Sequence, residues 1–246
     1  MNEGIRAGAR VAYFGGSFDP PHLGHLAVAR AARRALHLDA VLFAPVGAQP
    51  LKTQGATAGF DERVAMTRLA IEGEPGMSLT LADAPAPEGA PNYSVDALAR
   101  LRTELPNGCT IFFLMGADSF YSLRRWHRAE EMPFLAPLIV AARPGQRLDD
   151  LRTGLPEGLT LEPAADAHKI VEGIEVRCYR VTNPQGATAP FYLLPDLHVE
   201  ISASDIRAQV HAGSGEPATR AQLPRSVAEY IRAHGLYRET GNTERR

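Results

Sequence analysis

Along the first two-thirds of the chain, short apolar runs alternate with stretches whose apolar residues recur every three or four positions. VAYFG (11–15), AVLFAP (40–45), MSLTLA (77–82), TIFFLMG (110–116) and PLIVAAR (137–143) have the length and β-branched or aromatic content of buried strands. Between them, Leu23–Leu36, Asp61–Glu72 and Ser94–Leu105 show helical spacing. In the first, Leu23, Leu26, Ala27, Arg30, Ala31 and Arg34 form a small apolar face with basic margins, and Ser94 is the expected N-cap of the third. Strands alternating with helices predict a mostly parallel sheet with crossover helices.

The pattern weakens after Pro144. Residues 144–190 are rich in Pro, Gly and acidic side chains; LTLEP (159–163) and EVRCYRV (175–181) are candidate strands whose order stays open. FYLLPDLHVEIS (191–202) reads as a further strand region, SDIRAQVHAG (204–213) as a short helix stopped by Gly213, and PRSVAEYIRAHGLY (224–237) as a final helix. The expected organisation is a flexible extension over 1–9, one domain over 10–238 with 146–190 as a candidate insert, and a polar, disordered tail over 239–246.

Composition narrows the class. A length of 246 residues suits one α/β domain, and 45% hydrophobic with 22% charged residues is ordinary soluble usage. A formal charge of −2 gives no general electrostatic case for nucleic acid or an anionic membrane, so any phosphate binding must be local. Cys109 and Cys178 have no disulfide-framework or zinc spacing and are expected as reduced thiols. The opening MNEGIRAGAR lacks the apolar core of a secretory signal and no run reaches transmembrane length, which predicts a cytoplasmic protein. A homo-oligomer is neither required nor excluded by the sequence.

The most informative chemistry is GGSFDPPHLGH, residues 15–25, between the first strand and the first helix. Adjacent glycines after a buried strand permit close backbone approach. The following helix turns free N–H groups and its positive dipole end toward the carboxyl edge of the sheet, where open α/β sheets bind ligands. Gly15, Gly16, Ser17 and Phe18 therefore suit a phosphate, with His22 and His25 on one helical face as donors. Nearby phosphate charge would favour their protonated forms. Asp19, His22 and His25 also suit a metal site, disfavoured because no further ligand cluster accompanies them. ISASDIRAQV (201–210) is a second candidate cradle: Ser202 and Ser204 stand at a helix start and Arg207 one turn in, although Ser204 alone would more commonly be a cap.

GGSFDPPHLGH resembles the signature of the H-x-G-H nucleotidyltransferase superfamily, and most closely that of the nicotinate-nucleotide adenylyltransferase family. ISASDIR resembles its I-S-x-[ST]-x-I-R motif. APNYSVDALARLR (90–102) is similar to P-S-Y-T-x-D-T-L, with Asn92 for Ser and Ser94 for Thr; MGADSFYSLRRWHR (115–128) is similar to G-x-D-S-x-x-x-x-x-W, and AARPG (141–145) to its R-P-G ending. LPRSVAEYIRAHGLYR resembles the family's closing helix. One loop departs: PVGAQPLK replaces a P-x-H-[KR] run, with Val46 and Gly47 in that region and Leu51 where His is expected.

The resemblance implies an α/β fold, a Rossmann-like doubly wound, mostly parallel sheet with helices on both faces and a small C-terminal helical part. It implies joining ATP to nicotinate mononucleotide to give nicotinate adenine dinucleotide and pyrophosphate in NAD biosynthesis, with Mg²⁺. His22, His25 and Arg207 would be catalytic. Gly15, Gly16, Ser17, Phe18, His22, His25, Gly116, Asp118, Ser202, Ser204 and Arg207 would hold ATP, Asp118 lying near the ribose or a metal. Lys52, Tyr93, Ser94, Trp126 and Arg143 would hold the mononucleotide, Trp126 by stacking near the pyridine ring. The alternatives are an enzyme using the amidated mononucleotide or another nucleotidyl acceptor, a non-catalytic nucleotide sensor, and a metal-dependent hydrolase.

Overall fold

The computed structural model describes residues 4–48, 55–86, 89–142, 151–195, 197, 201–213 and 221–238. Strands β1 (Arg10–Gly16), β2 (Ala40–Pro45), β3 (Met77–Leu79), β4 (Thr110–Gly116), β5 (Leu138–Ala141), β6 (Thr160–Val171), β7 (Ile174–Thr182) and β8 (Thr188–Leu194) form one sheet in the order β3-β2-β1-β4-β5-β8-β7-β6. Pairing is parallel from β3 through β8 and antiparallel at β7 and β6. The helices are α1 (Leu23–Ala35), α2 (Phe60–Ile71), α3 (Ser94–Glu104), the short α4 (Ala117–Ser122), α5 (Met132–Leu135) and α6 (Leu151–Gly154), then α7 (Ala203–His211) and α8 (Arg225–Ala233). None among the described residues is long and apolar enough to cross a membrane.

The strand alternation builds two cores. Val11 and Tyr13 of β1, with Ile111, Phe113 and Met115 of β4, face Val95, Leu98 and Leu101 of α3. Their neighbours Ala12, Phe14, Phe112 and Leu114 face Leu26, Ala29, Ala32 and Ala35 of α1. Because both faces of the central strands are covered, these runs are continuously apolar, as parallel strands must be. The chain winds outward from β1 to β3 and then returns to β4 on the other side of β1. That reversal is a topological switch point, and it leaves a crevice at the carboxyl ends of β1 and β4. A third cluster joins Met66 and Ala70 of α2, Ile206 of α7, Val227 and Ile231 of α8, and Tyr237; it is the small C-terminal helical part.

Several expectations need correction. The buried stripe of α1 is Gly24, Leu26, Ala29, Ala32 and Ala35, whereas Arg30 and Arg34 are exposed and paired with Glu74 and Glu172. Alanines occupy both sides of this helix, so spacing alone left its inward face ambiguous. Tyr93 occupies the N-cap of α3 and Ser94 is its first helical residue. β3 stops at Leu79, and β8 runs from Thr188 and stops before Pro195, which has no N–H to give a ladder. Within 144–190, the described part continues the sheet as a β6–β7 hairpin closed at Glu172 and Gly173, both at positive φ. β6 lies at the sheet edge and its register shifts between Pro163 and His168, which erases the alternation that would have announced it. Of the expected extension, residues 4–9 are tied to the sheet by Gly8 N–H to Asn107 O and by the Arg6–Asp39 ion pair. Cys109 and Cys178 are free thiols.

Ala29→Leu tests the assignment of the α1 face: in a fully packed interface the added methylenes cost about 1–3 kcal/mol by denaturant unfolding, whereas an outward-facing position would tolerate them.

Candidate active site

A cavity of about 880 Å³ lies over the switch point. Its floor is the end of β1 at Gly15 and Gly16 and the end of β4 at Gly116. Every sequence-predicted site residue that the structure describes lines it. Ser17, Phe18, His22 and His25 come from the loop after β1 and the start of α1, Ser202, Ser204 and Arg207 from the start of α7, and Tyr93, Ser94, Asp118 and Trp126 from the α3 and α4 region. Lys52 and Arg143 lie outside the described residues, as does Leu51.

The glycines are required by their surroundings. A Cβ on Gly15 would stand 2.8 Å from Cε1 of the fully buried Tyr13, and one on Gly16 would stand 3.2 Å from the Phe18 ring. Phe18 is left-handed at φ 47, and the Asp19–Pro20 bond is cis. His22 is the N-cap of α1, with its ring centroid 3.7 Å from that of His25. Phe18 packs edge-on against His25 at 5.0 Å. The His22 backbone N–H donates to Nδ1 of His25 at 3.2 Å. An Nδ1 that accepts this bond leaves Nε2 as the ring nitrogen available to donate.

Asp19 is 4% exposed and joins parts of the chain that lie far apart in sequence. Its Oδ1 accepts from Ala58 N–H at 3.1 Å and from the Tyr237 hydroxyl at 2.7 Å, and its Oδ2 accepts from Thr57 N–H at 2.6 Å. Its backbone carbonyl accepts from Arg207 Nη1 at 2.7 Å, and the same nitrogen lies 3.9 Å from Oδ2. Arg207 Nη2 donates to Ser204 Oγ at 3.3 Å, so Ser204 is an acceptor for the arginine, while Ser202 stands at the N-cap of α7. Three donors thus meet the Asp19 carboxylate, and no cluster of three or more His, Cys, Asp or Glu suited to a metal occurs among the described residues.

Arg63, 3% exposed on α2, supports the same loop from below by donating to the carbonyls of Ser17, Val46 and Ala58. Burial pulls its guanidinium down, opposed by the Asp19 charge and by Tyr237.

The departing loop is built into the site through Asn92. Its Oδ1 accepts from Ala48 N–H at 3.1 Å, and its Nδ2 donates to the carbonyls of Asp83 and Ala84. Gly47 N–H donates to Asp83 O at 2.8 Å; a Cβ on Gly47 would meet Pro85 backbone at 2.6 Å and Asn92 Oδ1 at 2.7 Å. The two departures, Asn92 for Ser and glycine at 47, are thus one contact. Next along, Tyr93 and Ser94 start α3 at the cavity. Trp126 donates Nε1–H to Ser122 Oγ at 3.0 Å and packs edge-on against Phe113, with part of its surface on the cavity. Arg125 and His127 also line this end, His127 with its ring 4.2 Å from that of Tyr93.

A cytidylyltransferase-like family model matches residues 13–209. A probable nicotinate-nucleotide adenylyltransferase of Stenotrophomonas maltophilia is 41% identical over 231 residues, covering 92% of this chain and 96% of the relative. One of Thermomicrobium roseum is 36% identical over 230 residues, covering 94% and 92%. The chain belongs to the nicotinate-nucleotide adenylyltransferase family. Among solved structures, a Plasmodium falciparum nicotinic acid mononucleotide adenylyltransferase complexed with NaAD aligns at 15% identity with TM-score 0.67, over 93% of this chain and 97% of that one, and shows the shared Rossmann-like fold.

Against the motifs of this nucleotidyltransferase family, the residues that sequence reasoning missed are the supports: Asp19 as a junction, Arg63, Asn92, and Arg125 and His127 at the cavity rim. Arg63 and Asp19 lie 44 positions apart and share no motif, so no linear signal linked them. The doubled arginine before Trp126 was the one visible hint for Arg125.

Below the adenylyltransferase site, Tyr13 donates to Asp83 Oδ2 at 2.8 Å, and Asp83 is 1% exposed with its Oδ1 lacking a hydrogen-bond partner. Burial raises the Asp83 carboxyl above its usual range, partly opposed by bonds from Tyr13 and Asn92 and by the Arg100 charge. Burial, then the Asp83 charge, raises the Tyr13 phenol. A carboxyl raised on folding binds its proton more tightly in the native state, so its contribution is fully favourable below the unfolded value of about 4 and is lost as pH rises through the folded value. Asp83→Asn, which keeps an acceptor for Tyr13, is therefore expected to gain stability relative to the wild type as pH rises above about 4; denaturant midpoints measured from pH 4 to 8 check the sign.

Proposed function

We infer that this adenylyltransferase joins ATP to nicotinate mononucleotide, giving nicotinate adenine dinucleotide and pyrophosphate in NAD biosynthesis. The reading rests above all on one observation: His22 and His25, Ser204 and Arg207, and Tyr93 and Trp126 all line a single cavity, with Arg207 bonded to the Asp19 carbonyl of the histidine loop.

The mononucleotide phosphate oxygen attacks the α-phosphorus of ATP in line. A new P–O bond forms as the bond to the bridging oxygen breaks, and pyrophosphate leaves with that electron pair. The nucleophile is already an anion at neutral pH, so no general base is needed. The protein has to align two mutually repelling anions and stabilise the charge that grows on the leaving group.

His25 offers Nε2–H, held in direction by the bond at Nδ1 and by the Phe18 ring. His22, Ser204 and Arg207 supply further donors, backed by the N-termini of α1 and α7. Gly15 to Phe18 let backbone run under both nucleotides, with Gly116 and Ser202 at the margins. Tyr93 and Ser94 present the start of α3 to the pyridine carboxylate, and Trp126 offers a ring face for stacking. Lys52 and Arg143 are assigned to the mononucleotide phosphate and the adjoining rim on sequence grounds. Asp118 is exposed at the cavity, in the first turn of α4, and fits the single carboxylate with which proteins often hold Mg²⁺ alongside phosphate oxygens. Bound there, Mg²⁺ would neutralise phosphate charge. A cytoplasmic location accords with small soluble substrates, and no nucleic acid or membrane enters the reaction.

Pyrophosphate release from ATP, measured with nicotinate and nicotinamide mononucleotides in turn, is expected to be faster with the acid. Release without any acceptor would point to a hydrolase instead. His25→Ala is expected to lower kcat by about 10²–10³-fold with the fold retained, the usual loss for one donor to transition-state charge; circular dichroism checks the fold and near-normal turnover would remove His25 from this role.

A further inference from the structure

The mechanism above makes no use of Tyr237, yet the structure spends several features on placing it. Helix α8 ends at His234 with a Schellman turn: Gly235 at φ 63, Gly235 N–H to Arg232 O at 3.3 Å and Leu236 N–H to Ile231 O at 3.0 Å. The reversal sets Leu236 against the α2–α7–α8 cluster and leaves Tyr237 left-handed at φ 64, a conformation that L side chains seldom adopt. Its ring is 9% exposed, and its hydroxyl lies 2.7 Å from Asp19 Oδ1, a partner 218 residues away. Burial, then the Asp19 charge, raises the phenol far above its ordinary range, so it remains a donor. Asp19 in turn holds Arg207 through its carbonyl and begins the Asp19–Pro20–Pro21 step to His22.

We propose that Tyr237 is a positioning residue for adenylyl transfer, which it serves by saturating Asp19 so that Arg207 stays aimed at the triphosphate. The proposal rests on the adenylyl-transfer reading. The physical reason is competition for one cation. Without the phenol, Oδ1 keeps only the Ala58 N–H, and the Arg207 guanidinium, now 3.9 Å from Oδ2, is the nearest donor able to replace the lost bond. Drawn toward the carboxylate, it would leave Ser204 Oγ and the phosphates. The C-terminal helix would in this way reach the reacting centre without touching substrate.

Tyr237→Phe keeps the ring and removes the donor. It is expected to lower kcat about tenfold and to weaken ATP binding about fivefold, while KM for the mononucleotide stays within about twofold. In an Arg207→Ala background the same change should alter either quantity by less than about twofold, because coupled residues are non-additive. Ser226→Ala removes a bond from α8 to Leu69 O at 3.0 Å, far from Asp19, and controls for loosening of the helix; kcat should be unchanged. Additive effects of Tyr237→Phe and Arg207→Ala, unchanged kinetics in Tyr237→Phe, or an equal loss in Ser226→Ala would each overturn the proposal. If Tyr237→Phe fails to fold by thermal melting, Tyr237→Met, which also lacks the hydroxyl donor, takes its place with the same expected non-additivity toward Arg207→Ala. Calorimetry with ATP alone reads this coupling without turnover, so absence of transfer by the unsubstituted protein would count against the adenylyl-transfer reading while the binding cycle still decides the role of Tyr237.

Discussion

The carboxylate of Asp19 holds the site together. A buried carboxylate is tolerable only when its lone pairs meet donors. Here they come from the 57–58 segment and the C-terminal Tyr237, while the neighbouring carbonyl takes Arg207 from the second motif. The donors come from three separate stretches of chain, so meeting the electrostatic demand of one residue brings the 15–25 loop and the start of α7 into contact. The buried Arg63 does the complementary work with a positive charge, collecting three carbonyls that no strand or helix satisfies. Between them the two groups stiffen a loop that contains a left-handed phenylalanine and little regular hydrogen bonding of its own.

The sheet determines where this loop sits. Doubly wound strands open a crevice where the winding reverses, and the glycine-terminated ends of β1 and β4 lie on either side of it. Helix starts then converge on the crevice: α1 from His22, α7 from Ser202 and α3 from Tyr93. A site built from convergent helix N-termini and few formal charges suits a chain whose net charge is only −2, because attraction for phosphate is confined to the place where phosphate must react. Asn92 joins the loop at Ala48, the turn at Asp83 and Ala84, and the start of α3.

Much of this was legible from the chain. The first five strands and first three helices are foreshadowed by alternation and helical spacing, and β2 and β4 coincide with their apolar runs to the residue. These elements are continuous, well covered and bounded by Gly or Pro, so local pattern and tertiary environment agree. The α1 face, the β6–β7 hairpin and the donor nitrogen of His25 were not legible. In α1, alanine fits either face; in β6, an edge position and a register shift remove the alternation; at His25, a backbone N–H three residues earlier decides which ring nitrogen is available to donate.

Sequence by itself determined the class of fold, the order of its elements as far as β5 and the two glycine- and serine-bearing motifs, because hydrophobic periodicity and glycine placement act over distances of a few residues. The tertiary structure alone decided that Asp19, Arg63, Arg207 and Tyr237 form one connected group, and that a Cβ at Gly47 would run into Pro85 and Asn92. These relations depend on burial. A carboxylate or guanidinium is an ordinary surface residue until the fold removes it from water, and only then must distant parts of the chain supply its hydrogen bonds.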